Sequence, residues 1–311
     1  MANSVLKLPE ESLKRLIEHY RNKEINTKNP HARFAAKLPD TMVTVYSSGK
    51  VMFQGAGAER ETAKWGSVDS IKEKTAKAKG DELPPDFATH SVLGSDETGT
   101  GDFFGPITVA ACFVPARQVE LAKELGVKDS KQLTDDYMRK IAPDLKAAFP
   151  HSVLTLSNEK YNKVQAQGWS QGKMKALLHN QALKHVLRKM APEKPQAILI
   201  DQFAERGIYY RHIAEEKDII RENVLFSTKA ENLHVSVACA SIIARVAFLE
   251  EMDRLSAVAG VTLPKGAGAI VDEAAAKILL SRGEEFLKSI TKAHFANTKK
   301  AQALASKKKR T

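Results

Sequence analysis

Leu93-Gly-Ser-Asp-Glu-Thr-Gly-Thr-Gly-Asp-Phe-Phe-Gly-Pro106 sets two adjacent carboxylates, Asp96 and Glu97, at the end of a short apolar run and directly before a glycine-rich turn. Hard divalent cations take carboxylate oxygens as ligands, and a backbone that must approach a sugar or phosphate closely favours glycine. A strand end that delivers both points to metal-assisted chemistry on nucleic acid or nucleotide.

Outward from this stretch the pattern is α/β. The apolar runs Ser91–Ser95 and Ile107–Val114 read as adjacent strands. Helical spacing follows at Thr134–Phe149 and Lys173–Met190, with a strand at Val153–Leu156 between them. Ala197-Ile-Leu-Ile200 is continuously apolar, as a strand buried on both faces is, and ends in Asp201. A strand at Val224–Phe226 leads to Glu231 and a long helix to about Leu255, whose Ala, Ser and Cys content predicts close packing on a sheet.

Asp96, Glu97, Asp201 and Glu231 therefore stand at comparable places, and ligands of α/β sheets gather at the carboxyl ends of strands. Taken singly each has an ordinary explanation: Asp201 as a turn cap, Glu231 as a carboxylate at the positive end of its helix. Together they form a crowd of like charges that raises pKa values and is relieved by divalent metal. Two ions ~3.5–4 Å apart can clamp the attacking and leaving oxygens of a phosphodiester displacement. Gly99-Thr-Gly101 is not a dinucleotide fingerprint, because Phe103–Val109 is strand-like and contains Pro106 instead of opening a helix. Gly168-Trp-Ser-Gln-Gly-Lys173 lacks P-loop spacing. No organic cofactor is expected.

The chain has 311 residues, 48 Lys and Arg against 37 Asp and Glu, and a net charge of +11, which suits a polyanionic partner. Residues 1–65 read as a small separate module: a helix at Glu10–Lys23, a three-stranded meander (Arg33–Lys37, Thr41–Tyr46, Lys50–Gln54) and a helix at Ala58–Trp65. Lysine-rich residues 66–88 read as a linker, 89–298 as the main domain, and 299–311 as a disordered basic tail. Cys112 and Cys239 lie in apolar segments, as free thiols of a reducing cytosol do. No signal pattern and no run of ~18 apolar residues is present, so a cytoplasmic location without a membrane is expected.

The chain resembles the type 2 ribonuclease H superfamily, and within it bacterial ribonuclease HIII. The resemblance lies in Asp-Glu-Thr-Gly-Thr-Gly-Asp-Phe-Phe-Gly-Pro (96–106), Lys-Asp-Ser-Lys-Gln-Leu (128–133), Ile-Leu-Ile-Asp (198–201), Lys-Ala-Glu-Asn with Ala-Ser-Ile-Ile-Ala-Arg (within 229–245) and Lys-Ala-His-Phe-Ala-Asn-Thr (292–298). It implies an RNase H-like mixed sheet with flanking helices, plus an amino-terminal α+β domain resembling half of TATA-binding protein that binds substrate. It also implies an endonuclease that hydrolyses the RNA strand of RNA/DNA hybrids, leaving 5′-phosphate and 3′-hydroxyl ends. Asp96, Glu97, Asp201 and Glu231 match the four metal-binding carboxylates, with two Mg²⁺ ions expected on substrate and Mn²⁺ as a substitute. Thr98, Gly99, Thr100 and Gly101 are the expected contacts to ribose 2′-hydroxyls, the groups that distinguish RNA from DNA. Type 2 enzymes usually carry Gly-Arg-Gly at 99–101 and Asp at position 231. Thr100 and Glu231 therefore favour the type 3 branch over incision at a single embedded ribonucleotide.

Further expected substrate contacts are Ser130 and Lys131, in a polar turn that also suits an ordinary helix start, and Lys37, Tyr46 and Lys50 in the amino-terminal meander, which equally suit a solvated sheet face. His179 and Asn180 read as surface or supporting residues. His294 reads as a satisfied structural histidine, with assistance to proton transfer or product release as the alternative, and Lys265–Gly268 as a loop without a legible role. A monomer is expected. The rival from another class is a non-catalytic hybrid- or DNA-binding protein that keeps the fold and uses the acidic cluster only structurally.

Overall fold

Residues 3–27, 32–65, 80–127 and 133–308 are described by the computed structural model. The chain divides into two compact units, Met1–Lys77 and Ala78–Thr311.

The first unit contains β1 (Asn3–Lys7), α1 (Glu10–Tyr20), β2 (Ala32–Lys37), β3 (Met42–Tyr46), β4 (Lys50–Gln54) and α2 (Ala58–Ala63). Its sheet has the order β1-β4-β3-β2, with antiparallel pairing throughout. The expected three-stranded meander is thus a four-stranded sheet. β1 escapes a sequence reading because, among its described side chains, Leu6 alone enters the core. Strand alternation sends Phe34, Ala36, Val43, Val45, Val51 and Phe53 to a common core with Leu13, Leu16 and Tyr20 of α1. The opposite face carries Lys37, Thr44, Tyr46, Lys50 and Met52. The Tyr20 hydroxyl donates to Glu61 at 2.7 Å and accepts from Trp65 Nε1 at 3.1 Å, joining the two helices.

The larger unit is a five-stranded mixed sheet of order β7-β6-β5-β8-β9: β5 (Val92–Thr98), β6 (Ile107–Val114), β7 (His151–Leu156), β8 (Ala197–Asp201) and β9 (Val224–Ser227). β5, β6 and β7 pair antiparallel, while β8 runs parallel to both β5 and β9. Around it lie α3 (Val119–Glu124), α4 (Asp135–Ala148), α5 (Asn158–Ala166), α6 (Gln171–Met190), α7 (Arg206–His212), α8 (Val235–Ala259), α9 (Ala269–Ile290, interrupted at Gly283) and α10 (Ala296–Lys308). One face of the sheet packs on α6 and Tyr209 of α7, the other on α3, α4 and α8. α9 and α10 form a third core with Phe103, Phe104 and the second half of α8.

Three expectations change. Residues 80–88 are not a free linker: Gly80 bridges Ser227, Asp81 accepts from the Phe226 amide at 2.7 Å, and Phe87 is buried. Most of the tail is not disordered: through Lys308 it is helix α10, with Ala301 and Ala305 in the core. The long helix begins at Val235, after a 3-10 turn at Ala230–Asn232 that holds Glu231, so the helix-end explanation for that carboxylate loses its geometry.

α8 lies close on β5 because position 94 is glycine. A Cβ there would sit 2.4 Å from the Val237 amide nitrogen and 2.6 Å from the Ser236 carbonyl carbon, both backbone atoms with no freedom to yield. Gly94→Ala should destabilise the protein by about 1–3 kcal/mol, the usual cost of overpacking. Urea unfolding measures this, and a change within experimental error would mean that helix and strand are not in close contact.

Candidate active site

The pleat of β5 separates the adjacent carboxylates. Leu93, Ser95 and Glu97 lie on the face covered by α6, while Val92, Gly94 and Asp96 lie on the face covered by α8. In the parallel neighbour β8, Ile198 and Ile200 join the α6 core and Leu199 the α8 side, so Asp201 follows Leu199 to the side of Asp96. The register pairs Ser95 with Ile200, which puts Asp201 beside Asp96 at the carboxyl ends of both strands.

On the α8 side, Asp96 is 8% exposed. Burial, then the charges of Asp201 and Glu97, push its carboxyl well above the usual range, against hydrogen bonds from Ser241 and the Glu97 amide. Ser241 lies one helical turn beyond Val237, so one stripe of α8 covers Gly94 and then reaches Asp96. Asp201 is also raised, by burial first; its Oδ1 accepts the Ala230 amide at 2.9 Å, and Glu231 and Glu97 add repulsion. That amide precedes Glu231, which is itself buried.

On the α6 side, Glu97 is met by a lysine and a histidine. Lys175 Nζ donates to Oε1 at 2.7 Å and His179 Nε2 to Oε2 at 2.9 Å. The other ring nitrogen of His179 is 2.8 Å from the Ser95 hydroxyl. Burial pushes the Glu97 carboxyl up, but His179 and Lys175 outweigh it and hold the group below its ordinary value. His179 is fully buried, and Lys175 stands 4.2 Å over the Phe203 ring. The sequence marks neither as a partner of Glu97. The available signal was a Lys and a His four apart on one helix face among Met174, Ala176, Leu177 and Leu178. Asn180 instead clamps the chain near Asp218 and Ile220.

The turn after β5 is fastened on three sides. Gln171 Nε2 donates to the Thr100 carbonyl at 3.2 Å, and Asp102 Oδ1 accepts the Gly266 amide at 2.6 Å. Lys292, with no exposed surface, donates to the carbonyls of Asp102, Gly105 and Pro106 at 2.8, 2.6 and 3.3 Å. Burial pushes its ammonium down to about 7, against the charge of Asp102. Gly99 takes φ +92°, with the place of a Cβ filled by the Pro106 carbonyl oxygen and Phe248, so only glycine fits. The Thr100 hydroxyl is buried without a hydrogen-bond partner, an orphan polar atom beside an open cavity of about 540 Å³ lined by residues 97–102, Leu133, Asp135, Met138, Ser241 and Arg245. A larger cleft of about 700 Å³ opens near Pro192, Ile198 and Asn223, at the amino ends of β8 and β9, away from all four carboxylates.

Asp96, Asp201 and Glu231 thus converge on one side, with Glu97 drawn to the other. Among the described residues no three His, Cys, Asp or Glu side chains form a ready-made metal cage. The donor chemistry nevertheless fits a hard cation, since the raised carboxyls of Asp96 and Asp201 record anionic crowding that a divalent ion relieves. Tyr46 and Lys50 meet at the β3–β4 hairpin, whereas Lys37 pairs with Met42 at the far end of β3 on the same face. Ser130 and Lys131 lie outside the described residues. His294 stacks on Tyr161 at 5.6 Å, and burial lowers its pKa.

Residues 93–298 match a family model described as ribonuclease HII, and residues 3–78 match one described as a domain of unknown function. The larger unit is accordingly a type 2 ribonuclease H domain. A ribonuclease HIII from Lysinibacillus sphaericus is 61% identical over 98% of this chain and all of its own length. One from Bacillus subtilis is 52% identical over 99% of this chain and all of its own. The crystal structure of Bst-RNase HIII in complex with Mn²⁺ matches with a TM-score of 0.70 at 49% identity, covering 98% of this chain and 100% of that one. The chain belongs to the ribonuclease HIII family of metal-dependent nucleases. No helix among the described residues is long and apolar enough to cross a membrane.

The raised Asp96 carboxyl makes a stability prediction with a definite sign. The folded protein disfavours its ionisation, so the penalty is absent below the ordinary carboxylate range and complete above the raised value. Asp96→Asn should therefore be at least as stable as the parent in EDTA at neutral pH, with an advantage that shrinks as pH falls toward 3. Thermal unfolding across pH tests this, and a large loss of stability in the variant would make Asp96 a structural residue.

Proposed function

We propose that this chain is an endonuclease that hydrolyses the RNA strand of RNA/DNA hybrids, with Asp96, Glu97, Asp201 and Glu231 holding two Mg²⁺ ions, or Mn²⁺ in their place. The supporting observation is the anionic crowding around Asp96 beside a rigid glycine turn and an orphan Thr100 hydroxyl. Bound divalent ions supply the Lewis acidity that activates water and stabilises the leaving 3′ oxygen, which yields 5′-phosphate and 3′-hydroxyl ends. Lys175 and His179 keep Glu97 ionised and fix both of its oxygens, each of which retains a lone pair for metal. Ser241 orients Asp96, and the Ala230 amide orients Asp201.

Thr98, Gly99, Thr100 and Gly101 read the ribose. The backbone of this turn donates to ribose 2′-hydroxyls, groups that DNA lacks. Thr100 in place of arginine supports cutting within continuous RNA over incision at a single ribonucleotide. The outer sheet face of the first unit, with Tyr46, Lys50 and Lys37, serves as a docking platform, aided by the +11 net charge. Two buried free cysteines suit a reducing cytoplasm.

Three end-labelled duplexes test the activity in Mg²⁺: a full hybrid, DNA with one embedded ribonucleotide, and plain DNA. The expected result is cleavage of the full hybrid alone, lost in Asp96→Asn. Incision at the lone ribonucleotide would place the chain with type 2 behaviour, and no cutting in Mg²⁺ or Mn²⁺ would leave a binding protein. Deleting residues 1–65 should raise KM for the hybrid at least tenfold and leave kcat within about threefold. An unchanged KM would remove the platform role.

A further inference from the structure

Lys265 and Arg245 converge on one carboxylate at the rim of the cavity that holds the glycine turn. Arg245 Nε and a terminal nitrogen donate to the two oxygens of Asp135 at 2.8 and 3.1 Å, and Lys265 Nζ donates to Asp135 Oδ2 at 2.5 Å. Burial pushes the Asp135 carboxyl up, but the two cations outweigh it and hold it at about 2, so the group is ionised at working pH. Two cations against one anion leave the cluster with a net charge of +1. Arg245 and Asp135 line the same cavity as residues 97–102, and both remain partly open to solvent, as does Lys265.

The cluster is built rather than incidental. Arg245 is one helical turn, about 6 Å, beyond the Ser241 that reaches Asp96, and its guanidinium lies 5.6 Å over the Phe248 ring. Lys265 stands on a loop pinned to the turn: the Gly266 amide donates to Asp102 Oδ1, and its carbonyl accepts the Phe103 amide at 2.9 Å. Asn297 holds the next carbonyl, that of Ala267, at 2.9 Å. Surface ion pairs add little stability. Three elements brought together here therefore do more for a ligand than for the fold.

We infer that Arg245 and Lys265, spaced by Asp135, form a binding subsite for a non-bridging phosphate of the nucleic-acid backbone, adjacent to but distinct from the scissile one. The inference rests on the hybrid reading of the cavity. Arg presents a planar fork and Lys a point charge, a pairing suited to phosphodiester oxygens. Asp135 holds the two cations in place in the free protein and yields part of their hydrogen bonding when phosphate arrives. The loop at 265–268 thereby acquires a role, which is to carry a phosphate contact on a support fixed to the ribose-reading turn.

The test is equilibrium binding of the full-length protein to a fluorescent RNA/DNA hybrid with 5′-hydroxyl ends, in EDTA and over a range of KCl. Unphosphorylated ends remove terminal phosphates as an alternative source of the contact. Lys265→Ala should weaken binding about 5–20-fold at 0.1 M salt and reduce the slope of log K against log salt by about 0.7–0.9, the share of one phosphate. Lys265→Arg should restore both, whereas a merely structural role would move the melting temperature and leave the slope intact. A scan of single neutral methylphosphonates should find one linkage that costs the parent affinity and costs Lys265→Ala nothing. An unchanged slope in Lys265→Ala, or methylphosphonate penalties identical in the two proteins, would overturn the subsite. Arg245→Lys gives a second reading, with the same linkage expected to lose part of its penalty. Because binding is read without turnover, a parent that binds in this way but cuts nothing would sink the nuclease reading and leave the subsite standing.

Discussion

The alternation of side chains along β5 is the constraint on which the site depends. Two neighbouring carboxylates cannot point the same way from a pleated strand, so Asp96 and Glu97 fall to opposite faces and each is managed by a different helix. α8 approaches closely enough for Ser241 to reach Asp96 because Gly94 leaves it room. α6 meets Glu97 with a buried lysine and a buried histidine. The asymmetry of the site thus follows from the sheet: one side gathers crowded acid, and on the other a carboxylate is met by a lysine and a histidine.

Cations bind the loops and carboxylates of the larger unit, two of them buried and two at its surface. Lys175 answers Glu97, Lys292 ties three carbonyls of the loop after the glycine turn, and Arg245 with Lys265 shares Asp135. Removing one partner from a buried pair costs about 3–5 kcal/mol because the other charge is left desolvated. This makes Glu97 and Lys175 interdependent. The same logic explains why the turn is rigid although it contains Gly99, Gly101 and Gly105: its carbonyls are bound from beneath by an ammonium that has nowhere else to go.

The sheet was legible because its central strands are short apolar runs rich in β-branched residues, as at 107–114 and 197–200, and because Asp201 ends one of them. The four carboxylates were legible for the same reason, each standing where a strand or turn delivers it to the carboxyl edge. The partners of those carboxylates were not. Nothing local marks Lys175, His179 or Lys292 as buried, since what buries them is a contact across 78 to 190 residues of sequence. β1 went unseen because a five-residue strand with one core leucine has too little pattern to read. α10 was hidden by its lysines, although Ala301 and Ala305 repeat at the helical interval. Residues 80–88 look like a linker by composition and are held by backbone pairing that composition does not report.

The anchoring of the 102–106 loop by Lys292 orders events during synthesis. The carboxylates of β5 leave the ribosome early, but the ammonium that sets the adjoining loop is encoded 190 positions later than Asp102. The β-bridge from Phe104 to Thr291 and the Gly105 amide bond to the Ile290 carbonyl arrive equally late. A nascent chain therefore carries the acidic residues long before the loop beside them is fastened. Fragments ending before position 290 carry all four carboxylates without the fastening that shapes the turn beside them.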